Sequence, residues 1–258
     1  MIDEIPNVLA CDVGNSAVHF AYVRGEDVGA VHTVRVGALH ELAARLAETW
    51  PTVPEPRKLV AASVCPAGLK ALEAAADEAV GQEVLVVGRD LPLPLGTDLP
   101  QPQSTGADRL CAAVAAYDRL GTACVVADFG TAITIDCVND EGVFLGGAIL
   151  PGLAMAADSL HAGTAQLPRV DLARPDWVFG KDTRQAIVGG IVASARGALR
   201  QLVEAYATAL GKWPLVVATG GDAKLVCDHT AQDDLVQAIV PDLTLRGVAI
   251  AYYNALLQ

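Results

Sequence analysis

The sequence predicts an α/β fold present in two copies, each a mixed sheet with helices packed on it. Two stretches carry the prediction. Residues 8–19 read "VLACDVGNSAVH" and residues 125–136 read "VVADFGTAITID"; each runs an apolar strand into Asp-x-Gly and continues as a second apolar strand, once at Asp12 and once at Asp128. Composition is the third observation. With 52% hydrophobic and 19% charged residues over 258 positions, a large core is affordable and wholesale disorder is excluded.

The elements follow from periodicity. Strands are predicted at 7–13, 17–24 and 28–36, joined by turns at Gly14-Asn15 and Gly25-Glu26-Asp27. A helix at about 39–49 places Leu39, Leu42, Ala43, Leu46 and Trp50 on one face. A strand at 58–64, a helix at 67–80 and a strand at 83–88 come next. Residues 89–105, "RDLPLPLGTDLPQPQST", are too rich in proline for a helix or an interior strand and read as a loop. A helix then runs from about 106 to 119.

The second half repeats this order. Strands are predicted at 122–128, 132–138 and 142–149, followed by a helix near 153–162, a loop, and a long Ala/Gly-rich helix over 183–210. A strand at 214–221, a helix at 222–229 and a last helix at 243–257 complete the chain. The boundary between the copies is set at about residue 120, giving domains of 1–120 and 121–258.

Charge narrows the function. The net charge is −12 and the pI is near 4.7, which argues against nucleic acid or an anionic membrane as partner. No targeting segment and no apolar run of membrane-spanning length is read from the sequence, so a cytoplasmic protein is expected. The six cysteines are scattered, without a C-x-x-C pair or a Cys/His cluster, so they are expected to be reduced core thiols rather than zinc ligands.

Four segments can carry chemistry. A strand–Asp-x-Gly–strand turn turns backbone N–H groups toward phosphate oxygens, with Asn15, Ser16, Thr131 and Thr134 adding neutral donors. Asp12 and Asp128 repel phosphate, so they make sense as ligands of a cation that neutralises it. Asp128-Phe129-Gly130 is not the metal-holding triplet of a protein kinase, because the Gly-rich strand, the strand lysine and the H-R-D loop are missing; no P-loop is present either. In "STGADRLCAAVAAYDRL", 104–120, Ser104 or Thr105 can cap a helix. Its first turn holds Asp108, where the helix dipole favours a carboxylate able to accept a proton, and Arg109, a fork for carboxylate or phosphate. "VVATGGDAKLV", 216–226, ends a strand in Gly220-Gly221, where a flat group such as adenine can lie against backbone. "GGAILPG", 146–152, reads as a tightly packed turn.

Together these segments resemble the type III pantothenate kinases. The resemblance rests on Asp12-Val-Gly-Asn-Ser16, Gly106-Ala-Asp-Arg109, Asp128-Phe-Gly-Thr-Ala-Ile-Thr134, Gly147-Ala-Ile-Leu-Pro-Gly152, Thr164-Ala-Gln-Leu-Pro168, Gly180-Lys-Asp-Thr183, Thr219-Gly-Gly221 and Asp242-Leu-Thr-Leu-Arg-Gly247, which occur in the family's order over nearly the whole chain. It implies the actin, sugar-kinase and heat-shock ATPase superfamily: two duplicated ribonuclease-H-like domains, each a mixed five-stranded sheet with helices. The first would carry one phosphate motif and the G-A-D-R helix, the second the other phosphate motif and the adenosine motif. The implied activity is ATP-dependent phosphorylation of pantothenate to 4'-phosphopantothenate, the first step of coenzyme A biosynthesis.

The resemblance also implies roles. Asp12, Val13, Gly14, Asn15, Ser16, Ala17, Val18 and His19, with Thr131, match the ATP-binding positions. Gly106, Ala107, Asp108, Arg109 and Thr183 match the pantothenate-binding ones. Asp108 matches the proton acceptor, and Asp128 the position that binds a monovalent cation, K+ or NH4+. ATP with Mg2+ is the implied cofactor, and Thr183 is supplied in that family across a homodimer interface.

The chain departs from the family's pattern in the Pro-rich loop and in the first phosphate motif. The family usually carries a Tyr seven residues before the Gly of G-A-D-R and an acidic residue two before it; Leu99 and Ser104 stand there, and Ala17 replaces the usual polar residue after Ser16. Two further readings therefore stay open: a kinase of the same fold for another small hydroxy-acid or sugar, and a nucleotide-binding accessory or regulatory protein with weak turnover.

Overall fold

The computed structural model describes residues 7–227 and 235–257. The first half supplies β1 (Asn7–Val13), β2 (Ala17–Arg24), β3 (Asp27–Val28), β4 (His32–Arg35), α1 (Leu42–Thr49), β5 (Arg57–Ser63), α2 (Pro66–Val80), β6 (Val84–Val86), the two-residue β7 (Gly96–Thr97) and α3 (Ala107–Leu120). The second supplies β8 (Cys124–Phe129), β9 (Ala132–Val138), β10 (Val143–Pro151), α4 (Leu153–Ala162), α5 (Thr183–Leu210), β11 (Leu215–Thr219), α6 (Ala223–Val226), β12 (Ala238–Ile239) and α7 (Leu243–Ala255).

The chain forms two compact units. One runs up to Arg119 and resumes at Asp242; the other is Leu120–Pro241. In the first, the strand order is β3-β2-β1-β5-β6, with β4 also on β2. Among the second unit's own strands the order is β10-β9-β8-β11-β12. The senses match as well. β1 pairs antiparallel with β2 and parallel with β5, which is parallel to β6. β8 pairs antiparallel with β9 and parallel with β11, which is parallel to β12. The same wiring twice is the duplicated α/β architecture.

Alternation along β1 builds the first unit. Leu9, Cys11 and Val13 turn to one face, where Leu42, Leu46, Leu72 and Ala76 from α1 and α2 cover them. Val8 and Ala10 turn to the other, against Cys111 of α3 and Leu245, Val248 and Ala249 of α7. Asp12 shares the parity of Val8 and Ala10, so it stands at the end of the α3/α7 face. In the second unit Val125, Ala127 and Phe129 pack with Leu153 of α4, Ala223 of α6, and Ile187, Ile191, Leu199 and Val203 of α5.

The structure departs from the sequence expectations at identifiable places. The predicted strand 28–36 breaks at residues 29–31, where the Gly29 N–H bonds the Tyr22 carbonyl at 2.8 Å. β3 and β4 then pair separately with β2, and the first sheet has six strands instead of five. The predicted strand 142–149 continues to Pro151 as β10, so residues 146–151 do not form the separate turn also read there. A bulge at Gly146, with φ of 104°, shifts the register, and Gly147 lies opposite Asp136, leaving no room for a β-carbon. The last helix, expected in a second domain ending at 258, packs in the first unit, because its apolar face covers Val8 and Ala10. Gly247 makes that possible, since a β-carbon there would overlap the Cys111 carbonyl.

The helix predicted at 222–229 is limited to α6, and its last two positions lie outside the described residues. β12, at two residues, is too short to leave a periodic signal. α5 is long and apolar enough by composition to cross a membrane, contrary to expectation. Its Ile187, Ile191, Leu199 and Val203 are nonetheless covered in the core of the second unit.

Candidate active site

The two Asp-x-Gly hairpins occupy equivalent positions. Asp12 is the penultimate residue of β1, with His19 opposite it on β2 and Ala62 on β5. Asp128 is the penultimate residue of β8, with Thr134 opposite it on β9 and Thr219 on β11. Both carboxylates therefore stand at the carboxyl ends of a pair of parallel strands, the end at which open α/β sheets bind ligands. Each turn is closed by its glycine: Gly14 N–H donates to the Ala17 carbonyl, three residues on, at 3.0 Å, and Gly130 N–H to the Ala132 carbonyl, two residues on, at 3.2 Å.

That closure corrects part of the expected phosphate cradle. The glycine N–H groups are spent inside the turns. The Val13, Ala17 and Val18 side chains are buried, so these three residues offer backbone only. Asn15, Ser16 and Thr131 are exposed. Asn15 N–H has no partner among the described residues and is the donor most available to a phosphate.

At the N-terminus of α3 the expected caps do not form. The Ser104 hydroxyl donates to the Gln101 carbonyl at 2.8 Å within a single 3-10 turn, and the helix begins at Ala107. Asp108 takes over: its Oδ1 accepts the Arg109 N–H at 2.8 Å, satisfying one orphan donor of the first turn. Its Oδ2 has no partner among the described residues. Burial pushes the Cys111 thiol well above its usual range, and the charges of Asp12 and Asp108 push it further. Both carboxylates thus act on one buried atom, which places them at the same end of the first unit. His19, hydrogen-bonded through Nδ1 to Thr33 Oγ1 at 2.9 Å, is held below the usual imidazole range by burial, partly offset by Asp242 at the start of α7.

In the second unit, Asp128 lies between two glycines. A β-carbon on Gly130 would stand 3.3 Å from Oδ1, and one on Gly220 would overlap that atom and the Phe129 carbonyl. The Phe129 carbonyl also accepts the Asp222 N–H at 3.0 Å, tying the Thr-Gly-Gly turn to the hairpin. Gly152 packs as closely on the carbonyls of Gly130 and Thr131. Thr183 is exposed at the first position of α5, whose cap is Asp182, accepting the Gln185 N–H at 2.8 Å. Gly220 and Asp242, each in a segment singled out from the sequence, gain specific contacts here: Gly220 against Asp128 in the second unit and Asp242 acting on His19 in the first.

Known proteins resemble this chain in sequence and in fold. A family model described as type III pantothenate kinase matches residues 8–205. The chain is 34% identical over 255 residues to a type III pantothenate kinase of Syntrophotalea carbinolica, covering 95% of this chain and 98% of that one. It is 41% identical over 194 residues to one of Rhodospirillum rubrum, covering 75% and 74%. Among solved structures, the ethanolamine utilization protein EutJ of Carboxydothermus hydrogenoformans superposes with a TM-score of 0.57 at 15% identity, covering 95% of this chain and 90% of its own. The (R)-2-hydroxyglutaryl-CoA dehydratase component A of Acidaminococcus fermentans does so with a TM-score of 0.53 at 17% identity, covering 97% of each. At those identities the structural likenesses speak for the fold alone. The family model and the sequence relatives speak for more: the chain belongs to the type III pantothenate kinase family.

Proposed function

We propose that this chain transfers the γ-phosphoryl group of ATP to the primary hydroxyl of pantothenate, with Asp108 as the proton acceptor. Family membership supplies the reaction, the phosphorylation of pantothenate in coenzyme A biosynthesis. The observation supporting Asp108 is its carboxylate: Oδ1 is fixed by the Arg109 N–H and Oδ2 is left to receive a hydroxyl. Phosphoryl transfer passes through a loose transition state, so positioning and charge neutralisation contribute more than a strong base does. Gly106, Ala107 and Arg109 would orient the acceptor's carboxylate end; the 12–19 hairpin of the first unit and Thr131 of the second would each offer donors to phosphate oxygens.

Magnesium bound with ATP would supply charge neutralisation on the phosphates. Among the described residues no three His, Cys, Asp or Glu side chains gather into a metal site. The oxygens that converge on Gly220, Asp128 Oδ1 and the Phe129 carbonyl, are hard donors that suit a monovalent cation such as K+ or NH4+. The acceptor site would be completed across a homodimer by Thr183. Exposed Ala186, Gly190, Ala193 and Gly197 on α5 support this, since small residues allow close approach of a second copy. A cytoplasmic location accords with such a metabolic enzyme.

ADP release, followed with pantothenate, with other small hydroxy-acids or sugars, and with no acceptor, tests the reading. Release that requires pantothenate supports it. Release that requires a different acceptor favours the alternative suggested by Leu99 and Ser104.

A further inference from the structure

We propose that Gly106 is a positioning residue for Asp108, and that its missing side chain forms the slot in which the carboxylate is held. The inference rests on the reading of Asp108 as proton acceptor. A β-carbon on Gly106 would overlap Asp108 Oδ1, with Val64 Cγ1 closing the other side at 3.1 Å. Gly106 is not among the glycines at positive φ, so backbone conformation does not demand glycine there. The demand comes from the carboxylate. Oδ1 must occupy that space to reach the Arg109 N–H at 2.8 Å, and this bond commits Oδ1 and leaves Oδ2 as the oxygen for the acceptor. The atom a methyl group would meet is the end of a short side chain, which can rotate away. The backbone is therefore spared and the carboxylate is displaced. Gly106 acts through Asp108, besides any contact its own backbone makes with the acceptor.

The test is a double-mutant cycle of Gly106→Ala and Asp108→Asn, with kcat, both KM values and thermal melting measured for every member. Gly106→Ala is expected to melt within about 4 °C of wild type. Its kcat is expected to fall about 10- to 100-fold with KM for ATP nearly unchanged. In the Asp108→Asn background the same glycine change should cost less than about twofold in kcat, because the group it displaces no longer takes the proton. Four results overturn the proposal: a wild-type kcat for Gly106→Ala, a loss confined to KM for pantothenate, full multiplication of the two single effects, or a Gly106→Ala chain that does not fold. A wild-type kcat for Asp108→Asn alone would instead mark failure of the proton-acceptor assignment, and the slot would lose its purpose with it.

Discussion

Gly220 stands against Asp128: at a φ of 92°, it leaves empty the point where a β-carbon would overlap the Asp128 Oδ1 atom. Alanine at this position meets both an unfavourable backbone and an occupied space. Gly220→Ala is expected to lose about 1–3 kcal/mol of stability and to need more potassium for half-maximal rate. Urea denaturation and a potassium titration at fixed ionic strength check the two effects. If the variant keeps the wild-type potassium response, Asp128 is not the cation ligand.

Asp108→Asn keeps the size of the side chain and the Oδ1 acceptor for the Arg109 N–H, but it cannot take a proton. Its kcat is expected to fall about 10²–10⁴-fold while the melting temperature stays near wild type. Steady-state kinetics beside a melting curve decides this; a kcat within twofold of wild type would remove the assignment.

The duplicated architecture was legible in the sequence because Asp12 and Asp128 mark equivalent strand ends, and apolar runs of seven or eight residues, as in β1 and β2, are a strong signal. What escaped was non-local. The placement of α7 depends on Gly247 meeting the Cys111 carbonyl, a contact between residues far apart in the chain. The path of residues 146–151 depends on Gly147 facing Asp136 across the sheet, which gives a glycine pair inside a strand the local look of a turn. Ser104 and Thr105 look like caps by residue type, yet the Ser104 hydroxyl is committed to Gln101, and the site's capping acceptor is Asp108 itself.

His19 gives a pH dependence of stability. Burial holds its folded pKa below the usual imidazole value, so the unfolded chain binds the proton more readily. The His19 contribution is therefore present above the unfolded value and is lost as pH falls from there through the folded one. Urea midpoints at pH about 7.5 and about 5.5 should differ less for His19→Gln than for wild type. An equal acid loss in both proteins would show that His19 carries none of it.

A homodimer with a shared acceptor site makes a complementation prediction. Light scattering should report twice the 26.7 kDa chain mass. Asp108→Asn and Thr183→Val chains, each weak alone, should regain activity when mixed and allowed to exchange subunits, because one site of each mixed dimer has both wild-type residues. A monomer, or no recovery after demonstrated exchange, would contradict the shared site.

The most direct test of the whole account is to follow the γ-phosphoryl group itself. Phosphorus NMR of a reaction containing ATP, magnesium, potassium and pantothenate should show a phosphomonoester on the primary hydroxyl of pantothenate, formed in step with ADP and nearly absent with Asp108→Asn. ADP that appears with inorganic phosphate and no phosphomonoester, or a phosphomonoester formed equally well by Asp108→Asn, would contradict the account.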